Sequence, residues 1–174
     1  MADAIRFFSR FRVALGFLCG IAVYWFAAPT TASIAAGLPI AIAGELLRVW
    51  AAGHLNKSRE VTRSGPYRYV AHPLYLGSSL IGIGLAIGSG SVIVAAIVAV
   101  YLGVTLTAAI KNEERFLREK FGPAYDEYRL QRVVDRERRF SWSRAMANRE
   151  YRAMAGVTLA VLLLLWKATY NGLF

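Results

Sequence analysis

Apolar positions in this chain come in long, nearly unbroken runs separated by short polar punctuation, with no strand-like alternation. The runs cover about Val13 to Ala28, Ala32 to His54, Leu74 to Gly88, Ser91 to Ile110 and Met154 to Tyr170. Runs of roughly 15 to 25 apolar residues match the hydrocarbon thickness of a bilayer, so each predicts a transmembrane helix. Inside lipid a helix satisfies its own backbone, which a lone strand cannot do. Gly88-Ser-Gly-Ser91 is a short link and predicts an antiparallel helical hairpin. The expected fold is an all-α polytopic membrane bundle of about five spans, forming one domain over the 174 residues.

The first run ends at Ala28-Pro29-Thr30-Thr31, a turn signal without charge. Its aromatic end, Val23-Tyr-Trp-Phe26, differs from the small-residue cleavage site of a secretory leader, so a retained span is expected. The residues before it read as a short interfacial helix. Between Lys111 and Leu130, Phe116, Leu117, Phe121, Tyr125 and Tyr128 interleave with charges at near-helical spacing. That pattern predicts an amphipathic helix broken at Gly122-Pro123.

Composition agrees with a bilayer as solvent: 56% of residues are hydrophobic and the mean hydropathy is +0.40. The net charge of +10 would suit nucleic acid, but such a partner leaves several separated apolar runs unexplained. Basic residues instead give an orientation. Of the 21 Lys and Arg residues, three precede the first run, four lie between Asn56 and His72, and twelve lie between Lys111 and Arg152. The two intervening turns carry none, so the N-terminus and both polar segments are expected on the cytoplasmic side, in a bacterial cell in its inner membrane. A basic skirt of this kind lies against anionic headgroups. The single cysteine, Cys19, excludes an internal disulfide, and with only His54 and His72 no multi-histidine metal site can form. No catalytic metal is expected, and His54 reads as an interfacial residue.

Candidate chemistry gathers in two polar stretches. In Gly65-Pro-Tyr-Arg-Tyr-Val-Ala-His-Pro-Leu-Tyr-Leu-Gly77, Pro66 and Pro73 fix the backbone around Tyr67, His72 and Tyr75 just before a helix start. Helix N-terminal amides there can receive a polar or anionic group, although an interfacial aromatic belt has the same composition. In the second stretch, Glu113 and Glu114 follow the fourth run, suited either to a ligand or to ion pairs with Lys111, Arg115 and Arg118. Glu45 and Arg48, three residues apart on the second helix, form either a structural pair or a headgroup contact.

Three segments in order, Gly44-Glu-Leu-Leu-Arg-Val-Trp-Ala51, Ser64 to Gly77, and Asn112-Glu-Glu-Arg-Phe-Leu-Arg-Glu-Lys-Phe-Gly-Pro-Ala-Tyr-Asp-Glu-Tyr128, resemble the isoprenylcysteine carboxyl methyltransferase and phospholipid methyltransferase superfamily. The resemblance covers about Gly44 to Val133, leaving the last span outside it. It implies an integral-membrane enzyme that binds S-adenosylmethionine on the cytoplasmic side and takes a lipid or prenylated acceptor from the bilayer. By position, Arg59, Glu60, Val61, Thr62, Tyr67, His72, Pro73, Leu74, Tyr75 and Glu113 would contact the cofactor, with Glu114 and Arg48 as catalytic candidates. Aromatic faces suit a sulfonium, and backbone groups with a carboxylate suit the nucleoside and amino-acid parts.

The chain departs from the family pattern at Ala71, often Arg; at Arg59, often His; and at Ala109, where prenylcysteine enzymes have Arg. The expected activity is methyl transfer to a membrane amphiphile, on the isoprenylcysteine carboxyl methyltransferase pattern. A phospholipid amine N-methyltransferase, an NADPH-dependent membrane reductase and a non-catalytic scaffold are the alternatives.

Overall fold

The computed structural model describes residues 18–57, 59–130, 135 and 138–170, and every regular element among them is helical. Helix α1 is described over residues 18–26. It is followed by α2 (Thr31–His54), a 3-10 turn (Gly65–Arg68), α3 (Pro73–Gly88), α4 (Val92–Phe121), α5 (Pro123–Arg129), α6 (Trp142–Ala147) and α7 (Tyr151–Tyr170). The expected interfacial helix before the first run lies outside the described residues.

Among the described residues three helices, α2, α4 and α7, are long and apolar enough to cross a membrane. The five expected runs fall on helix over most of their described length, Ala27, Ala28 and Ser91 excepted, but α3 has only 16 residues and α1 is described only in part. At 1.5 Å per residue α3 is about 24 Å long, short of a hydrocarbon core of about 30 Å. Helix α4 differs in the other direction. It does not stop near Ile110 but runs unbroken for 30 residues to Phe121. The polar extension therefore stands on a continuous helix, and the break comes at Gly122, whose φ of 49° an L side chain rarely adopts.

Helix α2 starts where sequence chemistry tells it to. Thr30 and Ser33 form a reciprocal capping box, with the Ser33 amide donating to Thr30 Oγ1 at 3.0 Å and the Thr30 amide to Ser33 Oγ at 2.9 Å. Pro39 sits within the helix, which continues past it. The packing of α2 on α3 is set by small residues. A Cβ on Gly44 would stand 2.7 Å from the Gly77 carbonyl oxygen, and one on Gly37 would stand 2.2 Å from the Gly84 carbonyl oxygen. Helices packing in lipid have no hydrophobic gain over the lipid itself, so close backbone approach and dispersion hold such pairs.

Helix α4 lies on the outside of this pair: Val94 is its only buried residue, and Val92, Ile93 and Val100 are exposed. Exposed apolar faces on helices of this length suit lipid. At the end remote from the polar segments, the Ala28 amide donates to the Ser89 carbonyl at 2.8 Å, and Lys167 Nζ on α7 reaches the Tyr24 carbonyl at 2.5 Å and the Trp25 carbonyl at 3.0 Å. At the other end α6 closes over the C-terminus of α2. Asn148 Nδ2 donates to the Ala52 and Leu55 carbonyls at 2.9 Å each, and Arg144 Nε donates to the Gly53 carbonyl at 2.8 Å. Those carbonyls have no partner within their own helix, so the segment before α7 completes α2.

Candidate functional site

A cavity of about 550 Å³ opens at the polar end of the bundle, where the end of α2, the loop after it, the start of α3 and the extension of α4 converge. That volume suits a small-molecule site. The 3-10 turn fixes its floor. Gly65 has a φ of 57°, and a Cβ there would meet the His54 ring at 2.6 Å, so the position demands glycine both for its backbone and for its contact. His54 is buried rather than interfacial, with Nδ1 3.0 Å from the Trp50 carbonyl. Its burial under the turn replaces the surface role that the sequence suggested.

Tyr67, in the same turn, packs with Ala51, Tyr125 and Tyr128. The Tyr128 hydroxyl donates to the Tyr67 carbonyl at 3.0 Å, tying α5 to the turn. Burial above all, and then the Glu113 charge, raises the Tyr67 hydroxyl pKa above its ordinary range, so this group stays protonated.

At the start of α3, Pro73 occupies the first helical position, which suits its missing amide proton. His72 precedes it at the N-cap but does not cap with its side chain. The ring turns instead to α4, with Nδ1 3.6 Å from Glu113 Oε2 and Nε2 3.3 Å from Glu114 Oε1. Burial acts to lower the His72 pKa, but the two carboxylates together outweigh it and raise the pKa. Tyr75, its ring centroid 5.8 Å from that of His72, lies beside the same Glu113 carboxylate. The two neighbouring glutamates have different surroundings: Glu113 lines the cavity with 41% of its side chain exposed, while Glu114 lies outside the lining and also pairs with Arg129 at 3.2 Å.

The loop after α2 supplies another wall through Lys57, Glu60, Val61 and Thr62. Glu60 forms a close ion pair with Arg138, and that hydrogen bond lowers its pKa despite partial burial. Thr62 is buried, its hydroxyl accepting from the Asn56 amide at 3.2 Å.

Of the candidate cofactor residues, Glu60, Val61, Thr62, Tyr67, His72, Pro73, Leu74, Tyr75 and Glu113 all face the one cavity, and Arg59 does not. Arg48 faces it as well, but it makes no pair with Glu45. Its Nε is 2.7 Å from Glu150 Oε1, and its Nη1 is 2.5 Å from Ser78 Oγ and 3.4 Å from the Leu74 carbonyl. Both oxygens of Glu45 are buried without a hydrogen bond among the described residues. The sequence reading missed Asn148 and Glu150, which also line the cavity. The one signal for them was a polar Asn-Arg-Glu immediately before the last apolar run, with Glu150 the last acidic residue in the chain.

The phospholipid methyltransferase family matches residues 11–124, about two thirds of the chain, and so spans α2, α3, α4 and most of the cavity wall. The chain belongs to that family. Ala109 and Ala71, two of the positions where the sequence departs from the resemblance, both line the cavity. Nickel-cobalt-cadmium resistance protein NccN of Alcaligenes xylosoxydans xylosoxydans is 34% identical over 83 residues, covering 47% of this chain and 38% of that protein. Cobalt-zinc-cadmium resistance protein CzcN of Cupriavidus metallidurans is 34% identical over 94 residues, covering 53% of this chain and 42% of that protein. The chain therefore spans less than half the length of either relative. No solved structure matches.

Proposed function

We propose that this protein transfers a methyl group from S-adenosylmethionine to an amphiphile embedded in the membrane, with its site on the cytoplasmic face. The observation that carries the reading is one cavity into which both family motifs, Gly65 to Gly77 and the α4 extension, send aromatic and acidic side chains. The lining fits that donor chemically. Tyr67, Tyr75, Phe116 and Tyr128 offer aromatic faces for a cation, Glu60 and Glu113 offer acceptors for hydroxyl or ammonium groups, and Lys57 offers a cation for a carboxylate.

The donor supplies an electrophilic methyl group on a sulfonium. The protein's part is then alignment, exclusion of water and placement of charge. Tyr75 and His72 hold the Glu113 carboxylate from one side, and Glu114 with Arg129 holds His72 from the other, so Glu113 presents an oriented acceptor to the cavity. On this reading Glu113 binds the donor. Glu114, turned away from the cavity, acts as a positioning residue for His72, while Arg48 borders the acceptor side.

Calorimetry of the detergent-purified protein with S-adenosylmethionine, S-adenosylhomocysteine and NADPH tests the proposal. Both adenosyl ligands are expected to bind and NADPH is not. Glu113→Ala and Tyr75→Ala should each weaken S-adenosylhomocysteine binding about tenfold or more, the loss of one charge-assisted contact. A folded wild-type protein that binds neither adenosyl ligand would rule the reading out.

A further inference from the structure

Among the described residues three carboxylates line the larger cavity, Glu60, Glu113 and Glu150. Glu60 is tied to Arg138, and Glu113 faces the donor with His72 and Tyr75 beside it. Glu150 has no task in that arrangement. Its side chain is 5% exposed and gives Oε1 to Arg48 Nε at 2.7 Å, while no hydrogen bond among the described residues engages Oε2. A carboxylate oxygen in so dry a place wants a proton donor. Burial first, then the Glu113 charge, with a further contribution from Glu150, raises the Tyr67 hydroxyl pKa, so both carboxylates act on one space.

The backbone delivers this side chain to the wall. Helix α6 ends in a Schellman turn, with the Arg149 amide donating to the Met146 carbonyl at 2.9 Å and the Glu150 amide to the Ala145 carbonyl at 3.1 Å. Glycine is the usual occupant of the left-handed position in that turn, but here it is Arg149, with a φ of 62°. Asn148, just before it, is pinned to the Ala52 and Leu55 carbonyls. Arg48 is braced from α3 by Ser78 Oγ at 2.5 Å and the Leu74 carbonyl at 3.4 Å, so Glu150 rests on a fixed partner.

We propose that Glu150 is a catalytic residue, its Oε2 taking the proton from a neutral amphiphile whose nucleophilic atom is a hydroxyl oxygen or a thiol sulfur. This rests on the reading of the larger cavity as a methyl-donor site. As the bond from that atom to the methyl carbon forms, the donor's carbon–sulfur bond breaks with its electron pair going to sulfur, and the displaced proton passes to Oε2. One positive and one negative charge vanish together, which suits a site of low dielectric. A carboxylate head in the same place is repelled by Oε2 and has no proton to give.

The test uses the full chain in phosphatidylcholine vesicles, whose headgroups carry no such proton, with 4-dodecylphenol, dodecanethiol and dodecanoate as probes for the wild type, Glu150→Gln and Glu150→Asp. With S-adenosylmethionine the wild type should methylate the phenol or the thiol in preference to dodecanoate, and the two probes distinguish oxygen from sulfur. At saturating probe Glu150→Gln should be about 100-fold or more slower, and Glu150→Asp should recover part of the loss. All three proteins should bind S-adenosylhomocysteine within about twofold of one another, and in that complex the methylated probe's parent should bind Glu150→Gln about fivefold or more weakly than wild type. Wild-type turnover by Glu150→Gln, preference for dodecanoate, or loss of S-adenosylhomocysteine binding in both variants overturns this inference alone. So does a wild type that binds S-adenosylhomocysteine and methylates neither the phenol nor the thiol. A wild type that does not bind S-adenosylhomocysteine overturns the methyl-donor reading and this inference together.

Discussion

Arg48 illustrates what one-dimensional spacing can and cannot say about a side chain. Its place on the Glu45 face, near the polar end of the second run, was legible from the sequence, because helical spacing fixes faces. Its partner was not. Glu150 is 102 residues away and belongs to a different helix, so no local pattern could choose it over Glu45. Removing the arginine leaves Glu150, whose side chain is 5% exposed, without its cation. Arg48→Ala should therefore destabilise by about 3 kcal/mol, the low end for a broken buried pair because the arginine keeps 19% exposure. Thermal unfolding is the measurement, and adding Glu150→Gln should recover part of the loss.

His72 gives a test with a sign. Its folded pKa lies above the ordinary 6.5, so its pairing with Glu113 and Glu114 contributes fully below pH 6.5 and is lost as pH rises through the folded value. The melting temperature of wild type should fall across that window relative to His72→Gln, and a parallel pH dependence in the two proteins would contradict the pairing.

Among the elements, the helices were the most legible part of the chain, since unbroken apolar runs and a capping sequence need no distant information. Lengths were less so. Helix α4 outlasts its apolar run because Lys111 to Phe121 consists largely of good helix formers, and nothing breaks it before Gly122. Hydrophobicity marks where lipid ends; propensity marks where the helix ends. The α2–α3 contact depends on glycines whose role only the paired backbones reveal. Gly44→Val should force the helices apart, costing about 1–3 kcal/mol as overpacking does, and should also lower S-adenosylhomocysteine affinity because Arg48 and Ser78 straddle the same contact. Gly103→Ala is the control. No atom lies within 4 Å of where its Cβ would stand, and alanine is the better helix former, so melting temperature should hold or rise slightly.

For the whole molecule, charge distribution predicts orientation. In vesicles that keep the cell's sidedness, with Cys19 replaced by Ser, an impermeant maleimide should label Val92→Cys from outside. It should reach Glu127→Cys only after permeabilisation, and the reverse result would invert the topology. The site itself was half legible. Its motifs stand in order and, but for the last few residues up to Tyr128, within residues 11–124, whereas Asn148 and Glu150 come from well beyond that stretch. That division has a consequence for inheritance. Substitutions at Asn148 or Glu150 can reshape one wall of the cavity while the motifs on α3 and α4 stay unchanged, so relatives sharing those motifs are free to diverge there. Exchanging the segment from Ser141 to Glu150 between two such proteins would change one wall of the cavity while leaving the motifs on α3 and α4 intact.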